Sequence, residues 1–148
     1  IERIDFTDQR GLESYAHLVY PAGYRSGRRY PLVIVQYRSH GFLRGGTGGD
    51  YPIYPYATRG YFVLSVERPD GLVRQTEVDA DTYFIEQNLS DEENRMKQDA
   101  LDAFLSGLER RGLIDPQRIA ITGLSDGSET LYRALLRRHF AAAIVSTH

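Results

Sequence analysis

A chain of 148 residues, 41% hydrophobic and 26% charged, is long enough for one domain with a real core, and its composition excludes disorder. With 18 Lys and Arg against 20 Asp and Glu, the formal net charge is -2, so there is no basic field to draw nucleic acid or an anionic membrane surface. Cysteine is absent, which rules out a disulfide scaffold, a thiol nucleophile and thiolate metal sites.

The first third reads as strands separated by turns. Ile4 and Phe6 alternate with charged neighbours until Gly11 breaks the pattern. A second strand is expected over residues 13–20, closed by Pro21 and Gly23, with a polar turn at 24–29. The pattern then changes to nearly continuous apolar runs: PLVIVQY (31–37), YFVLSV (61–66), IAIT (119–122) and AAAIVS (141–146). Strands buried on both faces of a parallel sheet read this way. Helical patterns lie between them. Ser90 and Glu93 have the spacing of a capping box. Met96, Ala100, Leu101, Phe104, Leu105 and Leu108 then recur at helical spacing, with Gly112 as the stop and Pro116 beyond it. Residues 127–138 repeat the logic, with Leu131, Ala134 and Leu135 on one face. Buried strands alternating with helices imply an α/β fold with a mainly parallel sheet. No apolar run approaches the roughly 20 residues that span a bilayer, and no signal peptide is visible.

Residues 123–127 read Gly-Leu-Ser-Asp-Gly, the G-x-S-x-G pattern of a nucleophile elbow. That device needs a serine on a sharp, strained turn between strand and helix, with its hydroxyl exposed above the sheet edge. Small residues two positions either side let neighbouring backbone approach, and the following helix aims its positive end at the site. With glycine at roughly 7% of residues, the bare pattern arises by chance in about one chain in twenty of this length. Its setting raises it above chance: the apolar strand RIAIT (118–122) runs into it and an amphipathic helix runs out. An oxyanion hole would take the backbone N–H after the nucleophile, here Asp126, and a donor near the end of an earlier strand. Tyr37, or backbone within 38–41, could supply the latter. The loop GFLRGGTGGD (41–50) lacks a Lys before its Thr, so it is not a P-loop, and it contains no G-x-G-x-x-G. Histidines at 17, 40, 139 and 148 have no metal-ligand spacing. His17 and His139 read as structural, and His40 near the oxyanion region is disfavoured as a general base. Asp91 and Glu92 read as a helix-dipole contribution, not a metal or acid/base site. No metal or organic cofactor is implied.

On these residues the chain resembles the prolyl oligopeptidase family of serine peptidases, which have the α/β-hydrolase fold, a three-layer sandwich around a mainly parallel sheet. YPAGYRSGRRYPLVIVQY (20–37) is similar to that family's approach to its central sheet, ATRGYFVLSVERPDG (57–71) to its next helix end and strand, and RRGLIDPQRIAITGLSDGS (110–128) to its approach to the nucleophile. The resemblance implies Ser125 as nucleophile, the Tyr37 hydroxyl as oxyanion donor and the Asp126 N–H as the second donor. Two departures stand out: Ser128 where many members have a further glycine, and Arg68-Pro69-Asp70-Gly71 in place of a glycine-rich turn. QYRSHGFLRGGTGGDYPI (36–53) is most similar to the lasso-peptide isopeptidases, a bacterial branch that opens the isopeptide ring of threaded peptides.

In this fold the triad acid and base both follow the nucleophile. They are therefore expected beyond His148, which the resemblance does not make the triad base. Residues 1–148 are expected to be the N-terminal portion of a catalytic domain, inactive alone, and AAAIV is expected to need neighbouring strands on both sides. The resemblance adds a possible β-propeller before Ile1. The expected partner is a peptide substrate, with no nucleic acid and no membrane; the compartment, bacterial cytoplasm or periplasm, stays open. Two other readings remain: an esterase or lipase on the same scaffold, and a non-catalytic binding module that kept the fold.

Overall fold

The computed structural model describes residues 1–9, 11, 13–37, 52–67, 79, 81–82 and 91–146. In chain order the elements are β1 (Glu2–Thr7), β2 (Glu13–Val19), β3 (Tyr30–Tyr37), α1 (Ile53–Thr58), β4 (Phe62–Glu67), α2 (Glu92–Arg110), β5 (Ile114–Leu124), α3 (Asp126–Arg137) and β6 (Ala142–Ser146). They form a six-stranded sheet in the order β1-β2-β4-β3-β5-β6. β1, β2 and β4 pair antiparallel, whereas β4, β3, β5 and β6 run parallel. The expected α/β class and the mainly parallel sheet are both present.

Topology decides which face each helix covers. The chain leaves β3 for β4 on one side, then crosses back past β3 to β5 on the other. Right-handed crossovers in opposite directions must place their helices on opposite faces. Accordingly, Ile53 and Ala57 of α1 pack with Val33, Val35 and Val63. Ala100, Leu101, Phe104, Leu105 and Leu108 of α2 and Leu131 and Ala134 of α3 pack with Leu32, Ile34, Leu64, Ile119 and Ile121 on the other. Alternate residues of each central strand serve different cores, which is why the strands read as unbroken apolar runs. The direction reverses at β3; in open α/β sheets such a switch point is where a binding crevice forms, here between β3 and β5 at their carboxyl ends.

Local chemistry sets the boundaries. Gly112 takes φ +67° after α2; its N–H donates to the Glu109 carbonyl and that of Leu113 to the Leu108 carbonyl, closing the helix with a left-handed cap. Pro116 sits where the β3–β5 register shifts, between the Tyr30↔Ile114 and Leu32↔Ile119 pairs, a break in the ladder where a residue without an N–H is tolerated. One expectation needs amendment: Leu135, placed on the buried face of α3, is exposed. The described β6 is also exposed, from Ala142 to Val145, and pairs with β5 on one side. Ser90, half of the capping box, lies outside the described residues; Asp91 occupies the cap position and makes no side-chain capping bond there.

Candidate active site

Ser125 stands between β5 and α3 with φ 55° and ψ -122°. It is the one non-glycine residue with positive φ among the described residues. Such a conformation costs on the order of 1–3 kcal/mol and persists only where the surroundings over-determine it. The surroundings here are backbone. A Cβ on Gly123 would lie 2.4 Å from the Gly127 carbonyl oxygen, and a Cβ on Gly127 would lie 2.9 Å from that of Gln36. Neither glycine has positive φ, so both are required by close approach and not by conformational freedom. The first clears the turn itself, and the second lets the elbow dock on the end of β3.

Hydroxyls complete the clamp. Thr122 Oγ1 donates to the Ile34 carbonyl at 3.0 Å, fastening β5 to β3 just below the elbow. Ser128 Oγ donates to the Gly123 carbonyl at 3.0 Å from a buried position. Ser128 thus departs from the glycine pattern without loosening the turn: it satisfies a strand carbonyl at the point of greatest strain. The Ser128 N–H reaches the Ser125 carbonyl at 2.8 Å. Ser125 is exposed, and its hydroxyl makes no capping bond to α3, which leaves it available for chemistry. Asp126 is the first residue of α3, where a backbone N–H has no acceptor within the helix.

Tyr37 closes β3 in register with Glu67 of β4, one residue beyond the Gln36 carbonyl that meets Gly127. The backbone thus brings the ends of β3 and β5 together at the crevice. The Tyr37 side chain, residues 38–51, His40 and His148 lie outside the described residues. His17 is removed from the crevice, on β2 against Tyr15 with ring centroids 5.4 Å apart; burial, then the Arg3 charge, holds its pKa below the ordinary value. His139 is exposed beyond α3. Asp91 pairs with Arg133 of α3 at 2.8 Å. Among the described residues no group of three or more His, Asp or Glu side chains could hold a metal, and no helix is long and apolar enough to cross a membrane.

Sequence reasoning missed Gln36 and Gln98, both buried. Gln98 falls on the stripe Asn94, Gln98, Leu101, Leu105, Leu108, so an amide at a core-facing helical position was a signal open to be read.

The sheet order, the crossovers and the strained turn after β5 define the class: the chain has the α/β-hydrolase fold. Within that class it is 42% identical over 99% of its length to lasso peptide isopeptidase AtxE2 from Asticcacaulis excentricus, of which it spans 21%. A structure of AtxE2 isopeptidase, a Ser-to-Ala variant with Astexin3-dC4 bound, superimposes with a TM-score of 0.86 at 41% identity, covering 99% of this chain and 23% of that one. The α/β hydrolase GrgF from Penicillium sp. matches with a TM-score of 0.65 at 19% identity, over 99% of this chain and 45% of that one, a likeness of fold alone. No family model matches the chain. The chain spans about a fifth of the length of the curated relative it matches.

Proposed function

We propose that this chain is part of a serine hydrolase that cleaves a peptide or isopeptide bond, as a lasso-peptide isopeptidase, through an acyl-enzyme on Ser125. The observation that carries the reading is the Ser125 backbone, held at φ 55° between strand and helix by two glycines whose Cβ atoms would come within 3.0 Å of neighbouring backbone. Likeness to a lasso peptide isopeptidase over 99% of this chain supports the substrate class. A structure of that relative, a Ser-to-Ala variant, holds Astexin3-dC4, which supports a peptide substrate.

In this mechanism Ser125 Oγ attacks the scissile carbonyl carbon and passes its proton to a histidine base. The carbonyl oxygen becomes an oxyanion, received by the Asp126 N–H and the Tyr37 hydroxyl. The tetrahedral intermediate collapses, the C–N bond breaks, and the histidine returns the proton to the leaving amine. Water, deprotonated by the same base, then attacks the ester and frees Ser125. The acid and histidine come from chain beyond His148, so residues 1–148 are the N-terminal portion of the catalytic domain. The exposed apolar side chains of Tyr132, Leu135, Leu136, Ile144 and Val145 are where that continuation packs.

The test is a fluorophosphonate probe on the natural full-length protein, with the adduct located by peptide mass spectrometry. The expected result is a single adduct on Ser125, abolished in Ser125→Ala, with turnover reduced at least about a thousandfold in that variant. A folded, unlabelled full-length protein would overturn the assignment in favour of a non-catalytic module. Paired ester and amide substrates separate a peptidase from an esterase on the same scaffold.

A further inference from the structure

Beside the elbow, the first turns of α3 meet amide side chains of α2. Gln98 of α2 is 2% exposed, and its Nε2 donates to the Thr130 carbonyl at 2.8 Å. Asn94, one turn earlier on α2, donates from Nδ2 to Glu129 Oε1 at 3.1 Å. The Gln36 carbonyl oxygen would lie 2.9 Å from a Cβ on Gly127. Gln36 Nε2, Asn94 Oδ1 and Gln98 Oε1 are buried without a hydrogen-bond partner among the described residues. An unpaired buried polar atom is destabilising, because its lost hydration is not replaced. Leu or Met at position 98 would fill similar volume without that cost, so packing alone does not account for an amide there.

We propose that Gln98 is a positioning residue for acyl transfer at Ser125: its bond to the Thr130 carbonyl sets the height of α3 against α2, and so the placement of Ser125 and the Asp126 N–H at the head of that helix. The other ties between these helices are more exposed. Arg133 meets Asp91 at 2.8 Å, and Arg137 meets Asp99 and Asp102 at 3.1 Å each. Solvent-exposed pairs of this kind hold weakly, whereas the Gln98 bond is sealed from water and directional. A displacement of about 1 Å at a reacting group costs on the order of a hundredfold in rate, so a bond that fixes a fraction of that shift is worth about tenfold. The role rests on the hydrolase reading of Ser125.

The experiment uses the full-length protein, its fluorophosphonate labelling rate, and kcat and KM for p-nitrophenyl acetate, with thermal unfolding to confirm that each variant is folded. Gln98→Met removes the donor at similar volume; kcat is expected to fall about tenfold with KM within about twofold. Gln98→Glu supplies a titratable donor. A protonated carboxyl can donate to the Thr130 carbonyl and an ionised one cannot, and burial raises its pKa. The ratio of Gln98→Glu to wild-type kcat should therefore climb on acidification, while the Gln98→Met ratio stays flat. If Gln98→Met fails to fold, the slope of the Gln98→Glu ratio decides alone. Wild-type kcat in Gln98→Met, a loss confined to KM, or a flat Gln98→Glu ratio overturns the role while leaving Ser125 as nucleophile. An unreactive wild-type protein overturns both readings together.

Discussion

At the amino-terminal end of the parallel strands, Tyr20, Tyr24, Tyr30 and Phe62 close on one another with ring centroids between 4.9 and 5.8 Å apart. At the carboxyl end the tight contacts involve backbone: Gly123 against Gly127, Gly127 against Gln36, and the Thr122 and Ser128 hydroxyls on strand carbonyls. The first end stores its free energy in side-chain area, which is non-directional and tolerant of small shifts. The second stores strain, which is tolerated only if every neighbour stays in place. Truncation at the first end should lower stability and spare chemistry, while a single methyl at the second should damage chemistry out of proportion to stability.

Phe62 gives the largest effect expected on the stability side. It is fully buried at the start of β4 and meets three tyrosine rings. Phe62→Ala should cost about 3–5 kcal/mol in chemical denaturation. Well below its unfolding midpoint, the folded variant should keep a wild-type fluorophosphonate labelling rate. A labelling rate that collapsed along with stability would erase the distinction between the two ends.

Gly127→Ala probes the opposite end. Its Cβ would fall 2.9 Å from the Gln36 carbonyl oxygen, against backbone that cannot swing aside as a side-chain tip can. Overpacking of this kind costs about 1–3 kcal/mol, less than the Phe62 truncation. The labelling rate of Ser125 should nevertheless fall on the order of a hundredfold, because the elbow and the end of β3 are pushed apart. A folded Gly127→Ala protein that labels at the wild-type rate would show that the close approach is packing without consequence for the site.

This asymmetry also explains what the sequence could reveal. Spacing together with its strand-to-helix setting exposes the elbow, because Gly123 and Gly127 are fixed by atoms of the same short segment and of the strand beside it. The central strands β3, β4 and β5 show as apolar runs because they face two cores. The exchange of β3 and β4 in the sheet order leaves no such trace, since strand neighbours are chosen by crossover handedness and not by composition. Periodicity missed α1, whose end only the family resemblance marked, for a different reason. Its six residues complete fewer than two turns, and only Ile53 and Ala57 are buried, too short a span for periodicity to build. Leu135 reads as core because it adjoins Leu131 and Ala134 on the helical wheel, yet the sheet covers only the centre of that stripe. Tyr132, Leu135 and Leu136 fall outside the covered strip.

The smallest effect expected belongs to the amino-terminal end and sharpens the comparison through pH. Glu2 begins β1, and both its oxygens accept from Arg111 at the close of α2, at 2.9 Å each. The Tyr20 hydroxyl donates to Glu2 Oε2 at 2.7 Å. The hydrogen bond from Arg111 chiefly holds the Glu2 carboxyl below the usual carboxylate range; partial burial opposes it, and the Tyr20 bond adds to the lowering. A carboxyl whose folded pKa lies below its unfolded one contributes stability that is fully present above the unfolded pKa and is lost as pH falls through the folded value. Glu2 and Arg111 are about a third or more exposed, so screening limits the contribution to no more than about 1 kcal/mol. Thermal unfolding of wild type and Glu2→Gln should therefore differ by a few degrees at neutral pH and converge in acid, below the usual carboxylate range. Throughout, the Ser125 labelling rate of the folded Glu2→Gln protein should match wild type. A stability gap that persisted unchanged into acid would mean that the variant acts through packing against Tyr20 and not through charge. A labelling defect would mean that the two ends of the sheet communicate, which the separation of side-chain packing from backbone strain argues against.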